Sequence, residues 1–176
     1  MKEQSDSSPR FTLRRLAPAD APIYRPLRLQ GLKESPEAFA ASFDEEAQRP
    51  PPWFADRLRT SIVYGGFAGD NLVGVAGLRP ETTAKLAHIG HFWGLYVAPS
   101  ARGHGLASAL CRRLVAEARG QVEQILLAVV SSNRRAIALY AELGFERYGL
   151  ERRALKAGDR YYDEVLMMLR LDGASA

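Results

Sequence analysis

A single cysteine, Cys111, stands in 176 residues, so an internal disulfide and a cysteine-based metal cluster are both excluded. Long apolar runs are missing too. The longest uninterrupted one, Ile125 to Val130, is far short of the roughly 20 residues that a membrane-spanning helix needs. The opening stretch, Met1 to Phe11, is polar and lacks the apolar centre of a secretory signal. A cytoplasmic protein with no membrane partner is expected. Nor does either charge dominate: 24 basic residues face 20 acidic ones, a net charge of +4. The arginine doublets, such as Arg14-Arg15 and Arg112-Arg113, are scattered, as on a solvated surface, and no nucleic-acid interface is expected. With no repeat and no linker, the length predicts one domain over 10–171, between short flexible tails at 1–9 and 172–176.

What is present reads as an ordinary folded chain, 47% hydrophobic and 25% charged. Phe11 to Leu16 alternates as a strand does, and Asp20 is placed to cap a helix running toward Lys33. Pro22 suits the first turn of that helix; Pro26 predicts a kink or a late start. Short helical pieces follow, broken at Pro36 and at Pro50 to Pro52. From Ile62 the pattern turns to strands, first a hairpin around Gly69-Asp70-Asn71, then a longer strand from His88 to Pro99. Leu106, Leu110 and Leu114 recur at spacing four, as on the buried face of a helix. Cys111, in step with Ala107 and Val115 on that helix, reads as a small buried hydrophobe. The run from Gln124 to Val130 predicts a strand buried on both faces. A short helix stopped by Gly144 and a closing hairpin that turns around Lys156 to Asp159 complete the chain. This order predicts a mixed α/β (α+β) domain built on one sheet.

The chemistry concentrates in the segment from Ser100 to Leu110, where small residues lead from a strand into a helix. Such a junction aims backbone N–H groups and the positive end of the helix dipole at one point, and phosphate suits it. A nucleotide triphosphate loop would need Lys and Ser or Thr where Leu106 and Ala107 stand. A dinucleotide fingerprint would need a third glycine or an alanine where Ser108 stands and an acid at the end of the next strand, whereas Glu123 precedes that strand. What fits is Arg, two residues, Gly, one residue, Ala, carried by Arg102, Gly105 and Ala107. A second signature follows the buried strand: Asn133, Ala136, Leu139-Tyr140 and Gly144-Phe145. Helical spacing puts Ala136 and Tyr140 on one face, with Asn133 a turn before.

With these two motifs the chain resembles the GNAT family of N-acetyltransferases over roughly 62–171. The resemblance implies a single domain on a mostly antiparallel sheet of about seven strands, helices on both faces, with strands four and five splayed apart. It implies acetyl-CoA as donor, no metal, and a primary amine on a small molecule or a protein as acceptor. A homodimer is a further possibility in such a family. The pantetheine arm would pair with the backbone of Leu95, Tyr96 and Val97, and the pyrophosphate would sit on amides from Arg102 through Gly103, His104, Gly105 and Leu106 to Ala107. Asn133, Ala136 and Tyr140 would line the same donor site, with Tyr140 as general acid to the departing thiolate.

His91 occupies the strand position where some members carry a catalytic carboxylate, and imidazole, which titrates near neutrality, suits a general base. Trp93 is expected to share its face with His91 and Leu95. Glu34, Glu37 and Tyr162 are candidates to wall the acceptor side. The alternative is a module of the same fold that binds acyl-CoA without turnover.

Overall fold

The structure, a computed structural model, describes residues 11–171; the tails expected at 1–9 and 172–176 lie outside the described residues. Alternation of apolar and polar residues forms a short first strand, β1 (Phe11–Arg15), whose Phe11 and Leu13 pack inward. The helices α1 (Ala21–Glu34), α2 (Phe43–Ala47) and α3 (Pro51–Thr60) come next, then the antiparallel strands β2 (Ile62–Ala68), β3 (Asn71–Pro80) and β4 (Ile89–Val97). After them run α4 (Leu106–Ala118), β5 (Gln124–Val130), α5 (Arg134–Glu142), β6 (Glu146–Ala157) and β7 (Arg160–Arg170). One seven-stranded sheet has the order β1-β2-β3-β4-β5-β7-β6 and is antiparallel throughout except between β4 and β5. The expected fold class is therefore the one observed.

Two cores flank the sheet. On one face, Leu106, Leu110 and Leu114 of α4 and Ile137 of α5 pack on Ile125, Leu127 and Met167. The three α4 leucines are at most 2% exposed, and each such burial stabilises the fold by about 1.5–3 kcal/mol. On the other face, Tyr24, Leu27, Phe54 and Leu58 of α1 and α3 cover Val63, Val75 and Tyr96.

Several expectations need correction. Helix α1 runs without interruption through Pro26; the lost amide bond is outweighed by the burial of Tyr24, Leu27 and Leu32 on one side. Asp20 precedes α1 but does not cap it. Its carboxylate is taken by Arg14, at 2.8 Å to each oxygen, and by the Ala17 amide at 2.7 Å, and the bond to Arg14 holds its pKa below the usual range. Strand β5 is buried along its α4 and α5 face at Ile125, Leu127 and Val129, but only in part on the other, where Val130 is buried, Leu126 half-buried and Ala128 exposed. The strand expected from His88 starts at Ile89 and carries a bulge, with Gly94 and Leu95 together facing Ala76. Gly94 accommodates it at φ 69°. The extra residue flips the register, so Trp93 packs toward α1 and α3 whereas Leu95 packs toward α4. They do not share a face.

Candidate functional site

Strands β4 and β5 begin as a parallel pair and then part. Their ladder has three steps, Ile89 with Gln124, Gly90 with Ile125 and His91 with Leu126, and ends there. Beyond it, the β5-facing backbone edge of β4 from Phe92 to Val97 has no strand beside it, a row of donors and acceptors open to an added extended chain except at the Val97 carbonyl, which Arg102 holds. The gap opens into a cavity of about 640 Å³, lined on the β4 side by Phe92 to Val97 and on the β5 side by Leu127 to Val130. At its wide end stand Arg102, Gly103, Gly105, Leu106, Ala107 and Ser108.

The wide end is shaped by backbone. Gly105 immediately precedes α4 with φ 78°, and Gly103 has φ 83°. A β-carbon at either position would meet nothing within 4 Å, so space lies open over the loop. The left-handed turns and the start of a 13-residue helix bring unpaired amides and the dipole's positive end to the cavity mouth. Arg102 turns back along β4: its Nε donates to the Val97 carbonyl at 2.9 Å and a terminal nitrogen donates to Glu34 Oε2 at 3.2 Å.

Along the far wall, α5 begins at Asn133, whose Oδ1 accepts from the Ala136 amide at 3.1 Å. Asn133 thus caps α5, and Asn133, Ala136 and Tyr140 all line the cavity. Tyr140 is 7% exposed, its ring edge-on to Phe92 at 5.6 Å and to Phe145 at 5.8 Å. Burial pushes the Tyr140 pKa far up. Its phenol therefore stays protonated across the neutral range and has a proton to donate. Burial likewise pushes the Cys111 thiol up to about 12, which leaves it an inert core residue.

Of the residues expected to hold the donor or act as base, His104 and His91 fall outside the cavity lining. His104 turns its ring edge-on to Phe11, centroids 6.4 Å apart, and lends the loop only backbone. His91 stands at the last step of the β4–β5 ladder, but its Nε2 lies 3.0 Å from Glu81 Oε1. Ser35, Ala38 and Phe39, which follow α1, close one side of the cavity together with Trp93. Glu34 reaches the loop through Arg102; Glu37 and Tyr162 are not among the lining residues.

Sequence reasoning missed the layer under β4. Arg28 and Glu46 form a two-point ion pair at 3.0 and 2.9 Å, 4% and 3% exposed, and Arg57 joins at 3.4 Å. The Arg28 guanidinium lies over Phe39 and Trp93, and that of Arg57 over Trp53 and Trp93. One signal for it was available: Arg28 is four residues from both Tyr24 and Leu32, on the buried stripe of α1.

The sequence profile of the acetyltransferase (GNAT) family matches residues 29–145. A mycothiol acetyltransferase of Salinispora tropica is 32% identical over 142 residues, which is 78% of this chain and 45% of that protein. The N-alpha-acetyltransferase RimI of Mycobacterium tuberculosis is 37% identical over 107 residues, 59% of this chain and 65% of that one. The matches thus span about half to two thirds of these relatives. Among solved structures, that of yncA from Salmonella typhimurium with its cofactor acetyl-CoA has a TM-score of 0.78 at 22% identity, covering 95% of this chain and 97% of that one. An acetyltransferase of GNAT family from Streptococcus pneumoniae has a TM-score of 0.79 at 20% identity, covering 92% and 99%. Profile, relatives and fold agree with the two motifs: the chain belongs to the GNAT acetyltransferase family.

Proposed function

We propose that the protein is an acetyl-CoA-dependent N-acetyltransferase acting on a primary amine. The observation that carries this is the open β4 edge, which leads from a left-handed glycine loop at the cavity mouth to the buried, protonated Tyr140. The site fits the donor on two counts. An arm rich in amides can add to β4 as a strand would, and the open space over Gly103 and Gly105 fits a pyrophosphate on backbone amides.

When bound, acetyl-CoA supplies an electrophilic thioester carbonyl and a leaving thiolate. The β4 amides hold the arm extended, so the carbonyl stays near the branch of the sheet. Tyr140 keeps a proton at Oη for the departing sulfur, and its low exposure keeps water from replacing it there. An alkylamine arrives mostly protonated, since its pKa lies near 10.4, and must shed a proton before it attacks. His91, at the branch and paired with Glu81, is the candidate base.

The names of the two relatives put small-molecule and α-amino acceptors into the first panel to be tried. Free thiol released from acetyl-CoA is the readout, with polyamines, amino acids and short peptides as acceptors. Acceptor-dependent release is expected. Tyr140→Phe is expected to lower kcat by about 100-fold or more while CoA binding stays within about twofold. CoA binding with no thiol released by any acceptor would favour a binding module, and unchanged turnover in Tyr140→Phe would remove the phenol from the proton path.

A further inference from the structure

Beside the cavity, behind its lining residues Tyr96 and Arg102, one carboxylate collects three donors. Glu34 Oε2 accepts from the Tyr96 hydroxyl at 2.7 Å and from Arg102 at 3.2 Å, and Oε1 accepts from Gln30 at 2.8 Å. The first of these bonds does most to hold the Glu34 pKa below the usual carboxylate range, so its charge persists through neutral pH. Glu34 is the last residue of α1, where the dipole's negative end already disfavours an anion. Its place is fixed from both sides: the Tyr96 ring lies against α1 at Gly31, where an added β-carbon would come within 2.9 Å of it. The residue that spans this carboxylate and the phosphate loop is Arg102, which also stacks over the Tyr96 ring at 5.7 Å.

Resting on the donor reading above, we propose that Glu34 is an internal competitor of the donor's phosphates for Arg102 and so sets how tightly the donor is held. A pyrophosphate on the Gly103 to Ala107 amides brings negative charge to the loop that Arg102 flanks. Arg102 then either leaves Glu34 or is shared with it. In both cases the phosphates meet a guanidinium already engaged, with a second anion beside it. Glu34 therefore weakens donor binding, and it favours release of the spent coenzyme after transfer. Glu34 is a positioning residue, acting on the donor through Arg102. Ser35, Ala38 and Phe39, which wall the other part of the cavity, follow it directly in the chain. The same carboxylate thus joins the donor loop to that wall.

Glu34→Gln keeps an acceptor for Tyr96 and removes the charge. Titration calorimetry with CoA is expected to show about two- to fivefold tighter binding than the unaltered chain, the range of a solvent-accessible ion pair, and the gain should shrink as salt is raised. Pantetheine, which has the arm and no phosphate, followed by NMR because it binds weakly, should bind both proteins alike. In an Arg102→Ala background the gain from Glu34→Gln should fall. Unchanged or weaker CoA binding by a folded Glu34→Gln protein would overturn the proposal, as would an equal gain for pantetheine. Failure of the unaltered chain to bind CoA at all would overturn the donor reading first, and this proposal with it.

Discussion

The two faces of the sheet are held by different chemistry. Between the sheet and α4 and α5 the buried contacts are mainly aliphatic and aromatic, with Leu106, Leu110, Leu114 and Ile125 at most 2% exposed, and Glu117 of α4 adds polar contacts to Tyr64 and Arg15. Between the sheet and α1 to α3, the apolar core around Phe54 continues into a layer of buried charge under Trp93, where Arg28, Arg57 and Glu46 meet Phe39 and Trp53. Arg25 Nε, Arg57 Nε and Trp93 Nε1 are buried there without a hydrogen-bond partner. The first face supports a site made of backbone: the unpaired β4 edge and the glycine loop. The second supports a wall made of side chains, whose positions depend on one another. One half depends mainly on local backbone geometry and a few side chains near it, Tyr140 and Asn133 among them, whereas the other relies on particular pairs far apart in the chain.

The largest effect that separates the halves is expected at Glu46. Glu46→Ala leaves Arg28 buried without its anion, and stability to urea should fall by about 3–5 kcal/mol, while the CoA affinity of the folded fraction changes far less. An equal loss in both would mean that the two halves are not independent. The next effect belongs to the donor half. Gly105→Val forces a β-branched residue to φ 78° in open space, so the cost is backbone strain of about 1–2 kcal/mol, and CoA affinity should fall further, because the side chain projects where phosphate would sit.

The smallest effect is a test of charge on the hairpin. Glu164 and Glu151 are paired across β7 and β6, and burial first, then Glu151, raise the Glu164 pKa. A folded pKa above the unfolded one makes this group's contribution most favourable at acid pH, and that contribution is lost as pH rises through the folded value. Glu164→Gln should therefore stabilise the protein by about 0.2–1 kcal/mol at neutral pH, and the gain should vanish as both carboxyls protonate. A gain that persists in acid would assign it to packing.

The same division explains what could be read in advance. The donor half was legible because its signals are local: small residues leading from a strand into a helix at Ser100 to Leu110, leucines at spacing four, and Asn133, Ala136 and Tyr140 at helical spacing. The bulge at Gly94 was not legible, since alternation along β4 carries no mark of an extra residue, and Trp93 and Leu95 were placed on one face as a result. The side-chain wall under β4 was illegible for a related reason. Arg28 and Glu46 are 18 residues apart, and nothing in either neighbourhood names the other. His91 shows the limit from another side: its place at the branch followed from the strand order, but its partner Glu81, on the preceding segment, did not.

The central claim is that the donor lies along β4 in the gap left by β5, and amide hydrogen exchange tests it directly. On addition of CoA, protection is expected to rise in two stretches together, Trp93 to Val97 and Gly103 to Ala107, with little change in the amides of β2. Protection confined to α1 to α3, or CoA binding that leaves Trp93 to Val97 unprotected, would contradict it.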